Sequence, residues 1–156
     1  MIEFALIAPI LVLVIVNILD LTAIVWDQME TDYSAQMGGQ AAYKTCSTGT
    51  LPATSNCASL NTTVTTAIHS TSLGAAVSLA AGSPSETYYC VSGTTLQSVG
   101  SYSSPPNPFN CSAAGNAAAT PGDYVEVDVT YAYSPTFPGL SLVSARTLTA
   151  KSMQRL

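Results

Sequence analysis

Few residues in this chain carry side chains that could do chemistry. His69 is the single imidazole. It follows Ile68 on the polar side of a short amphipathic segment, where a solvated surface histidine is the natural reading. Glu126 and Asp128 share one face of an alternating segment and could approach a calcium ion. Two carboxylates supply too few oxygens for a full shell, so a solvated face is the simpler expectation. No G-x-S-x-G, Walker loop, H-E-x-x-H or G-x-G-x-x-G string occurs. The expectation is therefore no catalytic residue, no metal and no cofactor: a protein that is not an enzyme.

The four cysteines are Cys46, Cys57, Cys90 and Cys111, with no C-x-x-C among them. One histidine and unpaired spacing make a zinc site a poor fit. An even count beside an export-type segment points to disulfides in an oxidising compartment. Three connectivities are open. Cys46–Cys57 with Cys90–Cys111 is favoured, because short local loops close at low entropic cost. Four buried free thiols are the alternative.

Glu3 stands one step ahead of an apolar run, where an unpaired carboxylate would be costly to bury. From Met1 to Asp32 the charged side chains are Glu3, Asp20, Asp27, Glu30 and Asp32, all acidic. A membrane anchor could keep Glu3 at the interface. In a packed assembly its partner would be a positive group, and the local sequence offers only an N-terminal amine, its own or a neighbour's.

These residues must be positioned by a few elements. Phe4 to Val16 is apolar throughout, counting Pro9. Asn17 and Asp20 interrupt, and Leu19 to Trp26 continues the pattern. A helix over Ile2–Trp26 would be roughly 37 Å long at 1.5 Å per residue, enough to cross a bilayer core of about 30 Å. Pro9 is expected to free a carbonyl and kink it. Trp26, Met29, Tyr33, Met37 and Ala41 recur at three- and four-residue steps, so the helix continues to about residue 44. The Met/Tyr stripe is expected to pack on the chain's own domain. Gly38-Gly39 is expected to weaken the last turns.

Residues 48–56 read as a loop. Leu60, Val64, Ala67 and Ile68 mark a short second helix, capped by Ser59 or a neighbour. Residues 76–80 and 87–91 flank Gly82-Ser83-Pro84 as a hairpin, and residues 96–99 form a further short strand. Prolines between Gly100 and Gly122 block ladders. Tyr124–Tyr133 alternates as a strand with one buried and one wet face, and Leu142–Ser152 returns beside it. The fold class is α+β: a long N-terminal hydrophobic helix (1–44) followed by a small disulfide-bonded domain (45–156) with a short helix and an antiparallel sheet.

Only 8% of the residues are charged, against about a quarter in ordinary soluble domains. The deficit comes from the apolar N-terminus and a Ser/Thr/Ala/Gly-rich remainder. The net charge is -5, and the only bases are Lys44, Arg146, Lys151 and Arg155. Phosphate backbones need clustered Lys and Arg, so no nucleic-acid partner is expected.

The opening Ile2-Glu3-Phe4-Ala5-Leu6-Ile7-Ala8-Pro9-Ile10-Leu11 resembles the start of TadE-like pilins of tight-adherence (Flp-type) pili, a branch of the type IV pilus superfamily. Asp123 to Tyr131 resembles that family's V-x-V-x-Y strand, and Pro138-Gly139-Leu140 with Leu148 to Met153 fits its final hairpin. The resemblance implies an inner-membrane precursor, cleavage by a prepilin peptidase and extraction by a dedicated assembly machine into an extracellular filament. It implies a homopolymer held by packed N-terminal helices, with Glu3, Phe4, Leu6, Pro9, Ile10, Val14 and Leu21 as assembly residues. Glu3 would pair with a neighbour's new N-terminus. The family's glutamate stands somewhat further from its cleavage point, after a basic leader. Either the numbering starts at a processed or incomplete end, or the cleavage point differs. A minor priming pseudopilin of the same machine and a single-pass anchored surface-binding protein are the alternatives.

Overall fold

The computed structural model describes residues 2–46 and 51–156, with side chains from Ile7 onward. Helix α1 runs from Ile2 to Thr45 and is continuous through Pro9. Two shorter helices follow: α2 (Ala53–Asn56) and α3 (Leu60–Ile68). The one-turn α2 lies where residues 48–56 read as loop, and positions 48–50 lie outside the described residues. On α3, Leu60, Val64 and Ile68 are buried on one side. Ser59 occupies the position before α3 but makes no side-chain cap; only its carbonyl serves the helix, accepting from Thr63 N–H at 2.9 Å.

Among the described residues, five antiparallel strands complete the domain: β1 (Val77–Leu79), β2 (Ser85–Ser92), β3 (Thr95–Ser101), β4 (Gly122–Tyr133) and β5 (Arg146–Arg155). The long strand β4 organises the sheet. One edge pairs with β5 from Tyr124↔Arg155 to Tyr133↔Arg146. The other edge is shared by β1, opposite Val129–Tyr131, and β2, opposite Gly122–Glu126. Strands β1 and β2 are therefore collinear on β4, not a hairpin. Gly82-Ser83-Pro84 marks an excursion within one interrupted strand. It is pinned where the ladder is missing: Ala80 N–H donates to the Asp128 carbonyl at 2.9 Å, and Asp128 N–H donates to Ser83 Oγ at 2.8 Å.

The true hairpin is β2–β3, closed at Ser92↔Thr95. Gly93 takes φ 62°, and among the described residues no non-glycine residue has a positive φ, the pattern of a type II′ turn with glycine first. The returning strand begins at Arg146, so Leu142 to Ala145 belong to the β4–β5 loop.

Valines 125, 127 and 129 project from β4 onto α1 and α3. With Ala35, Ala42, Val64, Ile68, Val77 and Ala150 they make the core. The disulfides join Cys46 to Cys57 and Cys90 to Cys111, with Cα–Cα separations of 5.8 and 5.6 Å. The first ties the end of α1 to the residue after α2. The second ties β2 to the long loop before β4.

Candidate functional site

Helix α1 has two unlike faces. The face on the domain is built mostly from small and polar residues: Asp20, Thr31, Ser34, Ala35 and Ala42 are buried to zero exposure, with Val16 and Ile24 as the large apolar residues buried beside them. Gly38 and Gly39 belong to it. A Cβ on Gly38 would stand 2.9 Å from Val127 Cγ1 and 3.0 Å from Ile68 Cγ2; one on Gly39 would stand 2.7 Å from Ser152 Oγ. The glycine pair is thus the point of closest helix–sheet approach, and its propensity cost comes with contact that no larger residue allows.

The opposite face is apolar and open. Leu11, Ile15, Ile18, Val25, Met29 and Tyr33 are exposed at roughly helical spacing, and Trp26 beside them is 60% exposed. This reverses the expectation for the Met/Tyr stripe. Trp26, Met29 and Tyr33 point away from the domain, and Met37 and Ala41 are only half-buried. Large side chains cannot sit where the backbone must lie close to a sheet, so the small residues took the inner face.

Among the expected assembly residues, Pro9, Ile10, Val14 and Leu21 are all exposed. Ile10, Val14 and Leu21 line a shallow groove of about 430 Å³ with Leu140 and Leu142 of the β4–β5 loop. Ile18 and Leu21 continue into a second groove of about 380 Å³, bounded by Val25, Trp26 and Met29. The side chains of Glu3, Phe4 and Leu6 lie outside the described residues. The helix from Ile7 is long and apolar enough to cross a membrane, with a mean hydropathy of 2.5 in its most apolar window.

Asn17 and Asp20, which break the apolar run, are anchors for the β4–β5 loop. Asn17 Nδ2 donates to the Leu140 carbonyl at 3.3 Å, and Leu142 N–H donates to Asn17 Oδ1 at 2.7 Å. Thr136 N–H donates to Asp20 Oδ1 at 3.0 Å, and Tyr133 O–H donates to the Asp20 carbonyl at 3.1 Å. The partners are more than a hundred residues away, so local pattern carries no sign of them.

The other chemistry-bearing residues are structural. Glu126 is buried, not solvated: it accepts from Tyr89 O–H and from Lys151 Nζ, which also lies 3.9 Å from Asp128. An ammonium thus fills the place considered for a cation. Among the described residues no cluster of three potential ligands forms a metal site. His69 Nε2 donates to the Val77 carbonyl at 3.0 Å, fastening β1 to the end of α3. Glu86 caps α2, accepting from the N–H groups of Ala53 and Thr54 and from the Thr54 hydroxyl. Asp123 lies near it with both carboxylate oxygens buried and, among the described residues, no donor in reach. Burial first, and the neighbouring Glu86 carboxyl second, raise the pKa of Asp123 to about 7. As an acid Asp123 can donate its one O–H to Glu86, which gives one of the two orphaned oxygens a partner.

No curated protein and no solved structure matches the chain. Residues 1–40, which carry the open apolar face and most of the small-residue face behind it, match the family model described as TadE-like protein. Over this segment, about a quarter of its length, the chain is similar to TadE-like proteins.

Proposed function

We propose that the chain is a structural, non-enzymatic subunit of a tight-adherence pilus, held in the inner membrane before assembly and packed by its N-terminal helix into an extracellular filament. One observation carries this reading. The domain covers the side of α1 that carries its small and polar residues together with Val16 and Ile24, and leaves exposed a largely apolar face from Ile7 to Tyr33, in which Thr22 is a polar interruption. Burying a side chain of this size from water contributes about 1.5–3 kcal/mol. A bilayer hides the same surface before assembly, so polymerisation draws its drive from close packing of many copies.

The domain takes only small residues of α1, Ala35 and Ala42, into its main core, which supports the same division of labour. Residues 45–156 would lie outward and 1–44 inward, with Phe4, Leu6, Pro9, Ile10, Val14 and Leu21 in the packed interior. Glu3 would meet the N-terminal amine of the adjacent subunit. A desolvated pair of this kind gains little net stability and chiefly specifies axial register. A prepilin peptidase and a dedicated assembly machine would be the transient partners.

The test is electron microscopy of cells at matched precursor levels. Wild-type chain should give filaments with a helical core, and Glu3→Gln should insert and fold normally yet give fewer filaments, with Glu3→Asp intermediate. Undiminished filament yield from Glu3→Gln would remove the register role. A chain that inserts and folds but is never found in filaments would be a priming pseudopilin or a plain membrane anchor.

A further inference from the structure

We infer that the β4–β5 loop, residues 134–145, is a second membrane-contacting element that seals the polar residues of α1 from lipid at the outer interface. The inference rests on reading α1 as a membrane anchor and goes beyond it, because it concerns a segment far from the helix in sequence.

Depth is the first argument. Between the charges of Glu3 and Asp20 lies Phe4–Leu19, roughly 24 Å of helix at 1.5 Å per residue. A hydrocarbon core is about 30 Å thick and takes about 20 residues. With Glu3 at one interface, the other interface falls beyond Asp20, so Asn17 and Asp20 lie at lipid depth. Backbone and side-chain polar groups there must be satisfied within the protein.

The loop does this. It brings Thr136 N–H to the Asp20 carboxylate and Leu142 N–H to Asn17 Oδ1, and its Leu140 carbonyl accepts from Asn17 Nδ2. Asp20 is fully buried as a result. Outward the loop turns apolar side chains: Phe137 is 39% exposed, Leu140 52% and Leu142 91%. Leu140 and Leu142 face outward against the helix's apolar surface while Ser134, Thr136 and Ser144 are also exposed, so the loop is amphipathic. This is the arrangement expected of irregular backbone at the acyl–headgroup boundary, where a leucine is at home and a buried carboxylate needs cover. The outward residues adjoin Ile10 and Val14, so loop and helix form one apolar surface.

The chain's single tryptophan, Trp26, allows a direct test. In full-length Trp26→Phe protein, one tryptophan at a time is placed at Val14, Leu140, Leu142 or Val91. The protein is reconstituted in phosphatidylcholine vesicles whose acyl chains carry bromine near the carbonyl end. Leu140→Trp and Leu142→Trp should lose fluorescence to the brominated lipid, as Val14→Trp does, while Val91→Trp, exposed on the far part of β2, should not. Quenching at Val14→Trp with Leu142→Trp open to aqueous iodide would overturn the loop's role and leave the anchor intact. A Leu142→Trp shielded from both quenchers would mean that another copy covers the loop, which also overturns it. An unquenched Val14→Trp would remove the anchor reading, and the loop inference with it.

Discussion

Gly38→Ala and Gly39→Ala should affect stability unequally, although both replace a mid-helix glycine by the best helix former. Each gains about 1 kcal/mol of intrinsic propensity. At Gly38 the new methyl would lie 2.9 Å from Val127 Cγ1, 3.0 Å from Ile68 Cγ2 and 3.3 Å from Val64 Cγ1. All three neighbours are fully buried in the close-packed core. Overpacking of this kind costs about 1–3 kcal/mol, which cancels or exceeds the propensity gain. At Gly39 the closest atom is Ser152 Oγ at 2.7 Å, a hydroxyl on a half-buried side chain that can rotate away. Gly39→Ala should therefore keep much of its gain. For a chain of 156 residues each kcal/mol shifts the midpoint by about 2–4 °C. Thermal unfolding of both variants in one detergent, followed by circular dichroism, should put Gly38→Ala several degrees below Gly39→Ala. Gly38→Ala at or above Gly39→Ala would show that the helix can lift from the sheet at no cost, and that the glycine pair is not a close-packing device.

Two further outcomes follow from buried charge. Asp123 has a folded-state pKa raised to about 7 against an unfolded value near 3.9, so the folded protein holds the extra proton between them. Stability should fall as pH rises from about 4 through about 7 and then level off; Asp123→Asn should flatten that slope, and an unchanged slope would place its origin elsewhere. Lys151→Met should cost about 1–3 kcal/mol, because it leaves buried Glu126 with Tyr89 as its remaining side-chain donor, and Glu126→Gln in the same chain should recover most of the loss in denaturant midpoint; no recovery would mean that the lysine acts through its stem.

What local sequence could disclose here depended on how far each residue's partner lies along the chain. The apolar run of α1 and the alternation of Val125, Val127 and Val129 report burial at their own positions, so the long helix and the central strand were legible. The hairpin expected around Gly82-Ser83-Pro84 was not, because turn residues mark a break in a strand without saying whether the chain reverses or resumes. Here it resumes, since β4 is long enough to take β1 and β2 end to end. Alternation likewise marked Glu126 as outward but could not supply Tyr89 and Lys151 to cover it.

The Met/Tyr stripe failed for a more instructive reason. Periodicity finds the larger apolar side chains and equates them with the core, but a helix lying close on a sheet selects glycine, alanine, serine and threonine for its inner face. Once Ala35, Gly38, Gly39 and Ala42 are seen as the inner face, Trp26, Met29 and Tyr33 are left without an intramolecular role, as are Ile10, Val14 and Leu21. A chain that spends its small residues, with Val16 and Ile24, on its own fold and leaves most of its large ones uncovered has divided one helix between two kinds of packing. The inner face is satisfied within one molecule; the outer face is not, and bilayer or neighbouring helices are the apolar surroundings that match it. The same division explains why Asn17 and Asp20 can interrupt the apolar run: the β4–β5 loop takes up their polar groups, so the outward surface stays apolar past the point at which the sequence pattern breaks.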